Sequence, residues 1–168
     1  MNQPPDEARF RIRSATASDV PVVLALIKEL AAYERLSHEV VATEDDIHRA
    51  LFSSRPVAEA VIGEYEGQPV AFALFFHNFS TFRGRPGLYL EDLYVTPEFR
   101  RRGLGRRLLI HLARLAVERR CGRMEWSVLD WNDPAIQAYR RIGAVPLDEW
   151  TVYRLAGDAL ERLAREGE

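Results

Sequence analysis

The middle of the sequence contains a strand that runs through a glycine-containing loop into a helix. Residues 88–95 (LYLEDLYV) are typical of a strand, Thr96-Pro97 ends it, and the basic loop RRRGLG follows. Beyond the loop, apolar residues recur at helical spacing, at Leu104, Leu108, Leu109, Leu112, Leu115 and Ala116. A strand and an amphipathic helix joined in this way pack as two layers. The first N–H groups of the helix, beside glycines and arginines, favour a bound phosphate.

Other periodicities place further elements before and after this unit. Phe10–Ser14 alternates as a short strand, and residues 20–34 carry apolar side chains at helical spacing. Thr43, with Asp46 three residues later, resembles a capping box that opens a helix to about Phe52. The remaining sequence predicts strands at 58–65, 70–79, 124–129 and 150–155 and helices at 133–141 and 158–165. This order mixes a meander with crossover units and predicts a mixed α/β sheet with flanking helices.

Length and composition limit the class of protein. The chain has 168 residues, of which 47% are hydrophobic, and this is enough for a single core. We therefore expect a flexible N-terminal arm over residues 1–9 and one domain over residues 10–168. No apolar run reaches the ~18–20 residues that a bilayer span requires, and the N-terminus lacks the pattern of a secretory signal. Cys121 is the only cysteine, which agrees with a cytoplasmic protein that has no disulfide and no membrane partner.

Basic residues are unevenly distributed along the chain. The formal net charge is -2, yet nine arginines lie between Arg100 and Arg123, where Glu118 is the only acid. Lys28 is the only lysine, and codon bias in a GC-rich genome explains most of this preference for arginine. The clustering predicts a positive face suited to an anionic ligand. A nucleic-acid interface and a simply solvated loop stay open as alternatives, although few aromatic residues are interleaved for base stacking.

Other phosphate and metal motifs do not match this sequence. A dinucleotide fingerprint needs a third glycine where Leu108 stands, and a P-loop needs a lysine where Arg106 stands. Cys121 is interpreted as a small packing residue. No metal is expected, because no metal-ligand spacing connects the histidines, which are His38, His48, His77 and His111.

Several blocks of sequence resemble the GNAT family of N-acetyltransferases. Arg100-x-x-Gly103-x-Gly105 looks like the family's acetyl-coenzyme A motif, and it follows LYLEDLYV. WNDP at 131–134 and YRRIGA at 139–144 come next, in the family's order. Together with IR at 12–13 and LIKELAAYE at 26–34, they are similar to the diamine acetyltransferase branch, which includes spermidine/spermine and thialysine acetyltransferases. The resemblance covers about residues 10–157 and implies that family's fold, a mixed, mostly antiparallel sheet flanked by helices.

The resemblance implies acetyl-coenzyme A as the cosubstrate. Its pantetheine arm would pair with the strand edge as an added peptide strand does, and its pyrophosphate would reach the arginine and glycine loop. The start of the next crossover helix would complete the contact. The positions that match the family's coenzyme contacts are Leu93, Tyr94, Val95, Arg100, Arg101, Arg102, Gly103, Leu104, Gly105, Arg106, Asn132, Pro134, Ala135 and Tyr139.

The resemblance also assigns the chemistry. Tyr139 matches the family's general acid, since a phenol of pKa ~10 can protonate a departing thiolate. Without the resemblance, Tyr139 would be interpreted as a packed helix tyrosine. Glu91 matches the residue that binds the amine and accepts its proton through water, and in a regular strand Asp92 would point to the opposite face. A strand-end pair that bridges to arginine is their simpler interpretation. The predicted amine contacts are Tyr33, Glu34, Glu91, Asp92, Glu125, Trp126, Ser127 and Glu149.

One departure from the family bears on the amine. Polyamine acetyltransferases typically carry an acid in the loop before LYLED, whereas residues 78–87 contain Arg83 and Arg85 and no acid. These arginines should repel a long tricationic substrate, so a small amine, an amino acid or a lysine-like molecule is at least as well supported. Asp148-Glu149 supplies the family's acidic pair before Trp150, but in a shorter loop whose register is not fixed.

The expected function is acetyl-coenzyme A-dependent N-acetylation of a small primary amine by direct transfer in a ternary complex. Diamines, polyamines, thialysine and amino-acid-like amines are the candidate acceptors. The alternatives are a non-catalytic coenzyme A-binding regulatory module and, less favoured, an arginine-rich nucleic-acid-binding protein. The resemblance further implies a homodimer, to which the C-terminal strand and helix would contribute.

Overall fold

The computed structural model describes residues 9–166, which form two compact units, residues 9–129 and residues 130–166. Residues 1–8 of the predicted N-terminal arm lie outside the described residues. Arg9 precedes the first strand and is tied to the turn after the second, since its carbonyl accepts a hydrogen bond from the Glu66 N–H at 2.9 Å. The single domain predicted for residues 10–168 stays a prediction.

The first unit is built on a five-stranded sheet whose strands lie in chain order. Neighbouring strands are antiparallel, except that the last pair is parallel. The predicted mixed, mostly antiparallel sheet is therefore confirmed. Its strands are β1 (Phe10–Ser14), β2 (Glu59–Tyr65), β3 (Gln68–Ser80), β4 (Arg85–Val95) and β5 (Met124–Trp126).

Local signals set the helices of both units. In the first unit they are α1 (Val20–Tyr33), α2 (Glu44–Phe52) and α3 (Leu104–Glu118), and in the second α4 (Asp133–Arg141) and α5 (Gly157–Arg165). The capping box that opens α2 is confirmed: the Asp46 N–H donates to Thr43 Oγ1 at 3.2 Å, and the Thr43 N–H donates to Asp46 Oδ2 at 3.0 Å. No helix within residues 9–166 is both long and apolar enough to cross a membrane.

Helices cover both faces of the sheet in the first unit. On one face, α1 and α2 pack with the strands in a buried cluster that includes Val23, Phe72 and Tyr94. Leu93 and Val95 alternate with Tyr94 and so point to the other face. Their side chains lie next to Gly105 at the start of α3. The loop between β4 and α3 therefore connects the two faces at one end of the sheet.

A β-bulge interrupts β4 at Glu91. Leu74 of β3 lies opposite Asp92 while the next residue, Phe75, lies opposite Leu90, so Glu91 is the extra residue. The sequence interpretation of Glu91 and Asp92 assumed a regular strand. The bulge shows that the strand is irregular at this point. Because one residue is inserted, Leu90 and Asp92 point to opposite faces, and Asp92 shares the α1 face with Tyr94.

Two predicted strand regions differ from the structure. β5 ends at Trp126 rather than at residue 129, and residues 150–155 form no strand. In the latter segment Trp150, Val152 and Tyr153 are 74%, 87% and 92% exposed. The strand predicted at residues 150–155 was wrong because β-propensity describes how well a side chain fits a sheet. A strand also needs a neighbouring strand for its backbone hydrogen bonds.

Candidate active site

The loop before α3 has the backbone geometry of an anion site. Arg101 and Gly103 are left-handed, with φ of 63° and 76°. A non-glycine residue in this region costs about 1–2 kcal/mol, and such strain is concentrated at functional sites. When right-handed and left-handed backbone conformations alternate, successive N–H groups point to the same side. The first N–H groups of α3 also lack intrahelical partners. A Cβ placed on Gly103 would meet no atom within 4 Å, so the loop is open there.

The edge of β4 beside this loop is open beyond the bulge. β5 pairs with β4 only at Leu88, Tyr89 and Leu90, and it ends opposite the residue before Glu91. Beyond that point β5 does not cover the β4 edge that faces away from β3, so residues 91–95 can pair with amide groups of a ligand. The edge and the loop together fit the pantetheine and pyrophosphate of a coenzyme A thioester.

The loop arginines differ in what they contact. The guanidinium of Arg102 lies 5.4 Å from the ring centre of Tyr65 and 5.2 Å from that of Phe99. Arg101 and Arg106 are exposed, and neither forms an ion pair with the residues that the structure describes. These two carry the charge most directly available to an anion. Arg100 instead lies against Tyr33.

Three carboxylates meet at the bulge. The pKa of Asp92 is raised to about 6, first by burial and then by repulsion from Glu91 and Glu34. Burial also raises the pKa of Glu34, which follows the last residue of α1. Within residues 9–166, none of these three acids forms an ion pair, so the arginine-bridged interpretation is not observed. The site accumulates negative charge that a bound cation would neutralise.

The residues predicted on β5 are held by neighbours on the sheet. Glu125 Oε2 accepts from Asn78 Nδ2 at 3.0 Å and lies 2.9 Å from Arg123 Nε. The hydroxyls of Ser127 and Tyr89 are 3.0 Å apart. Trp126 lies opposite Leu90 in the register. The Glu125 carboxylate already has two polar partners, which distinguishes it from the three acids at the bulge.

The second unit carries the other predicted residues. Asn132 caps α4, since its Oδ1 accepts from the Ala135 N–H at 3.4 Å, and Pro134 stands in the first turn. Tyr139 is half-buried on α4, and Glu149 is exposed in the segment before Trp150. Asn132 therefore has a structural role as the N-cap of α4, in addition to the coenzyme contact that the sequence predicted.

Sequence reasoning missed the surroundings of Tyr94. A cleft of about 900 Å³ lies between α1 and the end of β4, and its lining includes Glu29, Tyr33, Tyr94 and Arg100. Burial and the nearby Glu29 carboxylate raise the pKa of the Tyr94 phenol. The available signal was the spacing of Glu29 and Tyr33, which are four residues apart and so share one face of α1.

Comparisons with known proteins agree with this architecture. The sequence model of the Acetyltransferase (GNAT) family matches residues 24–144. L-ornithine N5-acetyltransferase of Arabidopsis thaliana is 33% identical over 91% of this chain and 87% of its own length. Thialysine N-epsilon-acetyltransferase of Bos taurus is 35% identical over 91% of this chain and 96% of its own. In structure, an integron cassette protein of V. cholerae aligns with a TM-score of 0.79 and 25% identity, covering 94% of this chain and 98% of that one.

A bulged strand with an open edge, followed by a loop with the backbone geometry of an anion site, fits a coenzyme-dependent acyltransferase. The chain belongs to the GNAT family of acetyltransferases. Members of this family generally use acetyl-coenzyme A as the acetyl donor. Within residues 9–166, no three His, Cys, Asp or Glu side chains come together as metal ligands.

Proposed function

We propose that the chain transfers an acetyl group from acetyl-coenzyme A to a primary amine of a small molecule, directly and within a ternary complex. The observation that carries this proposal is a group of three carboxylates, Glu34, Glu91 and Asp92, that have no ion-pair partner within residues 9–166. They lie beside an open strand edge that leads to a loop with the backbone geometry of an anion site. A cationic acceptor and an anionic donor would therefore bind at adjacent parts of the first unit. The arrangement supports two ligands of opposite charge.

The proposed coenzyme contacts begin at Leu93, Tyr94 and Val95 on the open edge. The pyrophosphate would be held by the loop, with N–H groups from residues 103–105 and charge from exposed arginines. Gly105 supports this fit, because a Cβ there would lie 3.7 Å from Leu93 and 3.9 Å from Val95, so the loop runs close to the strand. The other proposed contacts are Arg101, Arg102, Gly103, Leu104 and Arg106 on the loop and Asn132, Pro134, Ala135 and Tyr139 on the second unit. Arg100, which the motif also assigns to the coenzyme, lies against Tyr33 and is not proposed as a phosphate contact.

The proposed acceptor is a small molecule with a primary amine. The two relatives described above are named for L-ornithine and thialysine, and we propose a diamine, polyamine, thialysine or amino-acid-like acceptor of that kind. Arg85 precedes Glu91 by six residues on β4, or about 20 Å at ~3.3 Å per residue. At this distance, about two Debye lengths in 0.1 M salt, its repulsion acts only on a long substrate that reaches the hairpin. The remaining proposed contacts are Tyr33, Glu125, Trp126, Ser127 and Glu149.

The chain's own residues would divide the chemistry as follows. Bound acetyl-coenzyme A supplies the electrophilic thioester. Glu91 would accept the proton of the ammonium through water, while Asp92 and Glu34 attract the cation. Backbone N–H groups near Leu93 would polarise the carbonyl, in the manner of an oxyanion hole. Tyr139 would donate the proton that the leaving thiolate needs.

A combined binding and activity screen tests the proposal. We expect coenzyme A to raise the melting temperature of the chain, because a ligand that binds only the folded state stabilises it. We also expect thiol release from acetyl-coenzyme A with at least one amine in a panel of diamines, polyamines, L-ornithine, L-lysine and thialysine. Stabilisation without acetylation of any amine would favour the regulatory module. Absence of stabilisation, with nucleic-acid binding that weakens steeply with salt, would favour the nucleic-acid alternative.

We further propose that the chain is a cytoplasmic homodimer. The second unit exposes many large apolar side chains, and contiguous apolar patches on a protein surface mark interaction sites. On α5, Leu160 and Leu163 are 52% and 54% exposed and lie three residues apart on one face. The other exposed apolar residues of this unit are Trp131, Ile142, Val145, Leu147, Trp150, Val152, Tyr153 and Leu155.

Sedimentation of a charged variant tests the dimer. We expect the native chain to sediment at twice its 19.3 kDa mass, and Tyr153→Glu to shift it toward the monomer, because an interface carboxylate would have to be desolvated. Val41→Glu is the matched control, since Val41 is 86% exposed on the first unit. A native chain that sediments as a monomer at all concentrations would contradict the dimer.

A further inference from the structure

Arg100 connects three parts of the first unit. Its Nε donates a hydrogen bond of 2.9 Å to the carbonyl of Val95, the last residue of β4. Its guanidinium carbon lies 4.5 Å from the ring centre of Tyr33 and 5.2 Å from that of Tyr94. Tyr33 is the last residue of α1, and Arg100 itself opens the loop that precedes α3. One half-buried side chain thus connects the strand end, the loop and the helix end.

The two tyrosines that contact Arg100 differ in exposure. Tyr94 is 5% exposed within the core cluster, whereas Tyr33 is 37% exposed at a helix end. The attraction between a guanidinium and the aromatic ring beneath it stabilises the contact by about 0.5–2 kcal/mol, depending on how far the cation is desolvated. Tyr94 and Val95 therefore fix the position of Arg100, and Arg100 in turn restrains Tyr33. Glu34, one of the three acids at the bulge, is the next residue.

This geometry does not favour a direct phosphate contact for Arg100. Its Nε edge is used by Val95, and a planar guanidinium that lies over rings presents its remaining N–H groups in a fixed direction. Arg101 and Arg106, which are exposed, are better available to an anion.

We propose that Arg100 is a positioning residue that couples the coenzyme loop to the amine end of the site. The inference rests on the proposed function. Coenzyme that binds the loop would favour the arrangement in which Arg100 holds Tyr33, and with it Glu34, against the end of β4. By linkage, a bound amine would then strengthen coenzyme binding by the same factor.

Arg100→Gln tests this coupling through a split between the two substrates. We expect the amine KM to rise roughly 10-fold, while the coenzyme A Kd without amine changes less than about 3-fold, because the loop N–H groups remain. Arg100→Lys should recover part of the loss, since it keeps the charge but not the planar fork. Tyr33→Leu should act like Arg100→Gln, and the double variant should be no worse than either single one. Tyr33→Phe keeps the ring and should retain the coupling.

Two measurements keep this inference separate from the activity. Arg101→Gln is the control for a phosphate contact, and it should weaken coenzyme A binding and leave the amine KM unchanged. In hydrogen exchange on the full chain, coenzyme A should slow exchange over residues 31–36 in the native protein and not in Arg100→Gln. This second readout holds even if no amine is acetylated, an outcome that would defeat only the proposed function. Equal protection in both proteins, or a large loss of coenzyme affinity in Arg100→Gln, would overturn the coupling role.

Discussion

Replacing Tyr139 by phenylalanine should reduce turnover by about 10²–10³-fold and leave coenzyme A binding nearly unchanged. General acid catalysis contributes roughly that factor, and only the phenol oxygen is removed. The fold should persist, because phenylalanine keeps the aromatic ring and the backbone contacts, in which the Tyr139 carbonyl accepts from the Ile142 N–H at 3.2 Å and from the Ala144 N–H at 3.1 Å. A pure loss of kcat is the signature of a group that acts in the transition state.

The measurement is steady-state thiol release, combined with calorimetric titration of coenzyme A. Arg141→Gln is the matched control, since Arg141 is an exposed residue on the same helix as Tyr139. It should match the native rate. If Tyr139→Phe keeps native turnover, the general acid is another group; if it loses coenzyme binding and melts early, Tyr139 is a packing residue, as its helix position alone would suggest.

Elements with local signals were predictable from sequence. Phe10–Ser14 and Asp133–Arg141 have the predicted bounds, because alternation, an N-terminal proline and a following glycine mark these ends within a few residues. The glycine-containing loop and the start of α3 at Leu104 were predicted for the same reason, since glycine spacing and a helix start adjoin in the chain; anion binding by this loop stays a prediction. The left-handed Arg101 was not predicted, because arginine itself carries no signal for that conformation.

Features that depend on distant partners were not predictable. The bulge at Glu91 arises from the register between β3 and β4, and the period of two in LYLEDLYV gives no sign of an inserted residue. The segment 150–155 has strand propensity but pairs with no strand within residues 9–166. The stacking of Arg100 on Tyr33 joins residues 67 positions apart, so the motif alone assigned Arg100 to the coenzyme. In each case the missing information is a contact between remote segments.

Asp92→Asn should make the protein more stable and less active. Burial raises the pKa of Asp92 from 3.8 to about 6, so the folded state binds this proton more tightly than the unfolded state does. The free energy of unfolding therefore falls as pH rises from about 4 to 6. Above pH 6, where Asp92 is ionised, it stays at the lower value. Removing the charge should increase the free energy of unfolding by about 1–2 kcal/mol at pH 7.5, after allowance for partial exposure, and should leave it unchanged at pH 4.

The same substitution should raise the amine KM, because a charge-assisted contact worth about 1.5–3 kcal/mol is lost, which corresponds to roughly 10–100-fold in kcat/KM. In the native enzyme the amine KM should rise as pH falls below about 6, where Asp92 becomes protonated, and Asp92→Asn should abolish that dependence. Urea unfolding at the two pH values and a pH series of kcat/KM measure both effects. Asp45→Asn, an exposed acid on α2, is the control and should change stability by less than about 0.5 kcal/mol.

A destabilised Asp92→Asn would mean that the carboxylate is already neutralised by a partner in the folded protein. Equal activity would mean that the cation is held by Glu34 and Glu91 alone. The joint outcome, greater stability with weaker amine binding, is expected only if the strand bulge holds Asp92 in a place that is unfavourable without substrate.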